Sequence, residues 1–517
     1  MPSRVRTWLT PAAWVAAVAA LLLAVFPLGF PNYDTIYALV WGRELGEGLD
    51  PDRGAALPPT PHPLAELFGL LTSPLNSGAI DLTMVVAYVS LGLVGYLVYR
   101  LGSLWFDRPI GAVAALIVLT RAPFLSNGLR AYVDLPYIAL VLGALAIETK
   151  RPRAGWPVLA LLAAAGLLRP EAWLFSLAYL AYLALGPGQS DPDRADEGTE
   201  RVLLERADTQ KRDLIRSRFV RARGTLSVPP AGLVALAIAG PVLWALYDWI
   251  TAGSPTYSFT GTRETVDTLG RHTGLVDLVI YGPRALGEVM QWPGMIGALG
   301  GVVLGFLFLR RRSEIGIAAA VLALGAFAIL ACAGLAIIAR YTMLAGAVLS
   351  IFVALALLGW RLLDRGHPWR RAWQAFAAVV ALMLVVWAPN QYDLLSQVDT
   401  DLTNQGEIES DLGDLADSGA FEPLCLPISV PNHRAVPRLA FDLDVRPSHI
   451  VSSSEQTHQP HHGYFLEPAS PFVIHNFILD PNDPSRFTTT VPPGFHRVAS
   501  NESWLLYRRC RHPAGAR

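Results

Sequence analysis

The residues of this chain that can do chemistry gather where its hydropathy breaks. Asp34 follows the first apolar run, within Asn32-Tyr33-Asp34-Thr35, and His62 opens His62-Pro63-Leu64 in the same loop, with Arg43 between them. Further along, Arg130 and Asp134 flank the start of one apolar segment, Arg169-Pro170-Glu171 turns another, Arg263 lies in a long polar loop, and Arg340-Tyr341 joins two more. A carboxylate can take a proton, an imidazole can hold a proton or a metal, and a guanidinium grips anionic oxygens through a planar fork. Each also has a plainer reading. Asp34 is of the type that caps helices, and Asp134 can cap a helix before Pro136. Arg340 can snorkel from a span end. Arg169 and Glu171 can close a tight turn as an ion pair, and His62 can be an ordinary loop residue.

The elements that must position these residues are membrane helices. Of the 517 residues 52% are hydrophobic and 16% charged, whereas soluble domains carry about 25% charged residues. A spanning helix needs about 20 mostly apolar residues. About eleven such segments are expected, near Trp8–Leu28, Ala79–Val98, Pro109–Thr120, Tyr132–Ile147, Trp156–Leu168, Ala172–Leu185, Pro230–Ile250, Met295–Leu309, Ile315–Ile337, Thr342–Trp360 and Trp373–Trp387. Arg4 and Arg6 precede the first, Lys150, Arg151 and Arg153 follow the fourth, and Arg310–Arg312 follow the eighth. The positive-inside rule then puts the N-terminus in the cytoplasm and the C-terminal part outside. The transmembrane body covers 1–388, with a first outer loop at 30–78, a charged cytoplasmic loop at 188–228 and an outer loop at 251–292. Asp34 and the residues after it read as a short amphipathic helix on the membrane surface, ending at Gly46–Gly48, with Tyr37 and Trp41 at the interface. A second short apolar helix follows at Leu64–Leu71.

Residues 389–517 change character, being rich in Pro, Asp, Asn, Ser and His. They read as a soluble domain, with strands at Pro471–Leu479 and Trp504–Arg508. Cys425 and Cys510 lie near its two ends, and outside the cytoplasm they can pair or remain free thiols. Cys332 is mid-span and reads as packing. His458, His461 and His462 lack zinc-like spacing and read as solvated loop. The chain has no Gly-x-x-x-x-Gly-Lys-Ser/Thr phosphate loop and no basic nucleic-acid module.

The stretches Tyr33-Asp34-Thr35-Ile36-Tyr37-Ala38, Gly42-Arg43-Glu44-Leu45-Gly46-Glu47-Gly48 and His62-Pro63-Leu64 resemble the first outer loop of the GT-C superfamily of polytopic glycosyltransferases. That superfamily includes the polyprenyl-phosphate-mannose protein mannosyltransferases and the bacterial aminoarabinose transferases, and the chain looks like a distant bacterial member. Gly166-Leu167-Leu168-Arg169-Pro170-Glu171-Ala172-Trp173 and Arg340-Tyr341 extend the likeness, while Thr35 stands where many members carry a second acid. The resemblance implies an all-α polytopic body with a C-terminal α/β extracytoplasmic domain in the plasma (inner) membrane. It implies sugar transfer, inverting, from a polyprenyl-phosphate donor to a glycan, lipid or protein acceptor at the outer face. Asp34 would be the general base. Arg340, Arg263, Arg130 and Arg169 are candidates for the lipid phosphate, with His62, Arg43, Asp134, Glu171 and Tyr341 as further substrate contacts. No cofactor is implied with certainty, and a divalent metal is one candidate. Two other readings stand beside this: a transporter or lipid-handling protein, and a GT-C-like scaffold without activity. A transporter calls for ionisable residues deep in the spans, which here are almost free of them.

Overall fold

The structure is a computed structural model that describes residues 2–26, 29–185, 229–454, 460–478 and 490–510, with side chains from Pro11 onward. The charged stretch Asp191–Arg223 and His458 lie outside the described residues.

Every expected apolar segment is helical, but not every helix is long enough to cross a bilayer. Among the described residues five are both long and apolar enough: α4 (Gly78–Trp105), α10 (Ala231–Ala252), α12 (Gly274–Phe308), α13 (Arg310–Cys332) and a segment over Ala339–Leu362 that contains α14 (Met343–Leu358). Two bent pairs raise this to seven: α5 (Arg108–Leu119) with α6 (Ala122–Leu129), at 62°, and α15 (Arg370–Val386) with α16 (Ala388–Asp417), at 45°. Among the described residues, length and composition do not confirm the count of eleven. Helices α8 (Trp156–Gly166) and α9 (Glu171–Ala184) have 11 and 14 residues. At about 1.5 Å per residue they fall well short of a hydrocarbon core about 30 Å thick. The outer loop expected at 251–292 is instead helical over much of its length, holding α11 (Tyr257–Thr268) and the first half of α12.

Three helices break at one place. Arg121 is the N-cap of α6, at the first bend. Gln291 interrupts α12 with a φ of 58°, a conformation that costs a non-glycine residue energy. Gln391 lies just beyond the bend between α15 and α16. The Arg121 Nη1 donates to Gln291 Oε1 at 2.8 Å and to Gln391 Oε1 at 3.1 Å, and Gln391 Nε2 donates to the Thr120 carbonyl at 2.7 Å. The two glutamines satisfy backbone and guanidinium groups that the breaks would leave bare.

The first outer loop is not laid out on the membrane surface as its pattern suggests. Helix α2 (Tyr33–Gly46) has apolar residues all round, and such a helix belongs in a core. Tyr37 and Trp41 are buried in one cluster with Ile408 and Leu412 of α16, Leu439 of α17 (Val436–Asp442) and the strands beyond. Helix α3 (Pro63–Thr72) lies against α2 so closely that a methyl group on Gly42 or Gly69 would strike the other helix's backbone, at 2.3 Å in each case. Arg43 clamps α2 to the C-terminal part, donating to the Ala440 and Phe441 carbonyls at 2.9 Å each and pairing with Asp444 at 3.1 Å.

The C-terminal sheet has five strands, β1 (Ile428–Val430), β2 (Ile450–Ser452), β3 (Gly463–Pro468), β4 (His496–Ser500) and β5 (Trp504–Arg509), in the order β2-β1-β3-β5-β4. The β1 strand runs parallel to β2 and β3, and β5 antiparallel to β3 and β4. The strand expected at Trp504–Arg508 forms, whereas Pro471–Ile478 is helical rather than extended. Cys425 and Cys510 form a disulfide.

Candidate active site

Asp34 does not cap α2. Asn32 does: its Oδ1 accepts from the Asp34 and Thr35 backbone N–H groups at 2.8 and 3.3 Å. That leaves the Asp34 carboxylate unspent in the first turn, directed at a cavity of about 1430 Å³. Asn32 also ties down the loop after α6, its backbone and side-chain N–H groups both donating to the Arg130 carbonyl at 2.9 and 2.8 Å. Thr35, in the place of a second acid, donates to the Ala131 carbonyl at 2.8 Å. It is a tether, not a lost carboxylate.

The cavity gathers residues from across the chain. Asp34, His62, Arg130, Tyr132, Arg169, Glu171, Arg340 and Tyr341 all line it. Arg340 Nη1 reaches Asp34 Oδ2 at 3.2 Å, and the two side chains remain 25% and 23% exposed, so the pair is open to a ligand. The Arg340 guanidinium also lies over Tyr132 and Tyr341, with centroids at 5.2 and 5.6 Å. Arg130 bonds a neutral group, its Nε and Nη2 donating to Gln405 Oε1 of α16 at 3.1 and 3.0 Å.

Arg169 is different in kind. It is buried between two acids, donating to Asp134 Oδ1 and, at 2.6 Å, to Glu171 Oε1, and it stacks on Tyr341 at 4.4 Å. Two carboxylates already saturate it, so it braces the wall more than it attracts an anion. Asp134 sits behind it, 2% exposed, and does not line the cavity. Two candidates lie elsewhere: Arg43 is the clamp already described, and Arg263, on α11, points its guanidinium at Phe259.

His62 stands at the N-cap position of α3 without using its side chain to cap. Its ring meets the edge of Trp244 at 5.8 Å, and its Nδ1 is buried without a hydrogen-bond partner. Burial pushes its pKa down to about 4, despite the opposing pull of Asp34. The neutral imidazole is therefore the form present near pH 7. One turn on, Glu66 is fully buried, and Arg53 comes within 3.9 Å of the carboxylate that accepts the Tyr247 hydroxyl. Burial pushes Glu66 up to about 7. Among the described residues no group of three or more His, Cys, Asp or Glu side chains is placed to hold a metal ion.

A second, apolar cavity of about 470 Å³ runs between α2, α3, α4, α7 (Asp134–Lys150) and α8, lined by Leu39, Phe68, Val86, Leu93 and Leu161 among others. Tyr132 lines both cavities, so the apolar one opens beside the Asp34–Arg340 pair.

The site also has a wall that the sequence reading did not include. Gln405 and Glu409 of α16, with His433, Arg434 and Phe477 of the C-terminal part, line the large cavity. No motif marks them. Their only trace in the sequence is that Gln405 and Glu409 are four apart, and so share one face of a helix.

The whole architecture has a counterpart among solved structures. ArnT from Cupriavidus metallidurans bound to undecaprenyl phosphate superposes with a TM-score of 0.54 at 14% sequence identity, over 97% of this chain and 98% of that one. Its apo state gives 0.51 at 15% identity, over 98% of each. No family model matches the chain, and no curated protein matches it in sequence. At this identity the likeness is one of fold alone, and it extends over nearly the whole of both chains.

Proposed function

We propose that this protein is a membrane glycosyltransferase that moves a sugar from a polyprenyl-phosphate donor to an acceptor at the outer face of the inner membrane. The observation that carries the reading is the unspent Asp34 carboxylate, paired with Arg340, at the mouth of an apolar cavity between helices. The donor's lipid tail occupies that cavity, which puts its phosphate at headgroup depth beside Tyr132. The likeness to a structure holding undecaprenyl phosphate supports this assignment.

The chemistry follows from the charges. An acceptor hydroxyl loses its proton to Asp34 as its oxygen attacks the anomeric carbon. The bond from that carbon to the phosphate oxygen breaks, and its electron pair leaves on the lipid phosphate. Attack opposite the leaving group inverts the anomeric centre. Arg340, and Arg130 beyond it, face the growing charge, and a guanidinium–phosphate contact is stronger than a neutral one. The neutral imidazole of His62 orients rather than neutralises. In this reading residues 1–388 form the membrane body, with the N-terminus in the cytoplasm, and 389–517 the extracytoplasmic domain.

The test uses the full-length protein in nanodiscs, with undecaprenyl phosphate binding and release of labelled sugar from polyprenyl-phosphate sugars as separate readouts. Asp34→Asn is expected to keep lipid binding and to lose turnover by a factor of about 10² to 10⁴. Full turnover in a well-folded Asp34→Asn protein overturns the assignment.

A further inference from the structure

The carboxylates that line the large cavity are Asp34, Glu171, Asp248, Glu288 and Glu409. Four are occupied. Asp34 has Arg340, Glu171 has Arg169, and Glu288 lies 3.7 Å from Arg284. Asp248 accepts the Ser258 backbone N–H at 2.9 Å and the Ser258 hydroxyl at 2.7 Å. Glu409 stands apart. It is 8% exposed, and its Oε2 is buried without a hydrogen-bond partner. The neighbouring Arg438 is committed to Asp442, at 2.6 Å.

Position sharpens the contrast. Glu409 follows Gln405 by one turn of α16, so both project from the same face into the cavity. Gln405 Oε1 receives two N–H bonds from Arg130 across the cavity. The face thus carries two acceptors, one filled by the protein and one open. A buried acceptor left open is costly, and the cost is recovered when a ligand supplies the donor.

The surroundings select among donors. Arg434 lines the same wall and Arg130 and Arg340 line the cavity with it, so an ammonium would meet like charge. A hydroxyl supplies the hydrogen bond without a charge. Tyr33, His433 and Phe477 line the same cavity, and aromatic rings are of the kind that take the C–H side of a sugar.

We propose that Glu409 is a specificity-determining residue for the acceptor: it receives a non-reacting hydroxyl of a sugar- or polyol-bearing acceptor while Asp34 faces the reacting one. This rests on the transfer reading above and assigns the α16 wall to the acceptor side.

The test is binding, so it needs no turnover. The full-length protein in nanodiscs is titrated with octyl mannoside, octyl arabinoside, octyl glucoside and, as the charged competitor, octylamine. The readout is the ligand-dependent change in tryptophan fluorescence, with Trp173 and Trp244 the tryptophans that line the cavity. At least one glycoside is expected to saturate, and to do so more tightly than octylamine. Glu409→Ala should weaken that glycoside about tenfold or more, a loss typical of a buried hydrogen bond. Glu409→Gln, whose carbonyl still accepts, should stay within about threefold. Glu409→Asp, which withdraws the carboxylate by one methylene, gives a second reading should the alanine variant fold poorly, with about fivefold weakening expected. Undecaprenyl phosphate titration of the same samples reports on the fold. An unchanged Kd in both Glu409→Ala and Glu409→Asp, preference for octylamine, or no saturable glycoside overturns the proposal. Failure of the transfer reading shows separately, in the turnover of Asp34→Asn.

Discussion

Asp34 and Arg340 are 306 residues apart in sequence, yet Oδ2 of one lies 3.2 Å from Nη1 of the other. Neither side chain is buried enough to be purely structural, and each has something the other cannot satisfy. The Arg340 Nε has no hydrogen-bond partner, and its guanidinium stacks on two tyrosines that hold its plane. Arg340→Lys keeps the charge but loses the fork and the stacking. It is expected to raise the donor KM about tenfold or more, with a smaller effect on kcat, read in steady-state transfer. Arg340→Gln should cost more, because the charge goes too.

The brace behind the site should be costly to break. Arg169 is buried with Asp134 and Glu171, and removing one partner of a buried pair typically costs about 3–5 kcal/mol. Asp134→Asn or Glu171→Gln should lower the thermal unfolding midpoint clearly in detergent. The first should do so without an equal loss of lipid binding, since Asp134 does not line the cavity.

His62 and Glu66 predict opposite pH responses. The folded pKa of His62 is depressed to about 4 from the usual 6.5. The unfolded chain therefore takes up a proton that the folded one refuses, and stability falls as pH drops from 6.5 to 4. Glu66 is raised to about 7 from 4.5. Here the folded state favours the protonated form, so stability falls as pH rises from 4.5 to 7. Each shift corresponds to roughly 3 kcal/mol at its full extent. His62→Gln should flatten the acid limb of a stability–pH curve, and Glu66→Gln the limb toward neutrality. Identical curves for wild type and both variants would refute these burial effects.

The disulfide closes a loop of 85 residues that contains all five strands. In the chain-entropy account such a loop is worth about 4 kcal/mol. Cys425→Ser should lower the unfolding midpoint of the C-terminal part, and dithiothreitol should lower that of the wild type to match. Because α16 and α2 share that core, the loss should extend to binding in the cavity.

Much of the site was legible in sequence because its parts sit at the ends of apolar runs, where hydropathy locates them well. Asp34, His62, Arg130, Arg169 and Arg340 were all placed at helix ends or turns, and they meet. What composition could not supply is which neighbour each residue meets. Asn32 and Asp34 are both capping types, and only the backbone shows that Asn32 takes the role. Arg43 and Arg263 carry the same charge as Arg340, but one is drawn to carbonyls of α17 and the other to Phe259. The number of spans is the least legible feature, because a run of about twelve apolar residues signals burial equally well inside a bundle and across a bilayer. Glu409 was invisible for the opposite reason: α16 is rich in acids there, and nothing in the sequence singles out the one that is buried.

The node at Arg121 ties the protein's completeness to its order of synthesis. Its two glutamine partners follow it by 170 and 270 residues. A ribosome must therefore finish the nine described helices α7 to α15 before Gln391 exists. Until then the buried Arg121 guanidinium lacks that acceptor. The bend between α5 and α6 thus waits on α16, and a chain cut short before Gln391 leaves the Thr120 carbonyl without that side-chain donor and Arg121 with one glutamine acceptor in place of two.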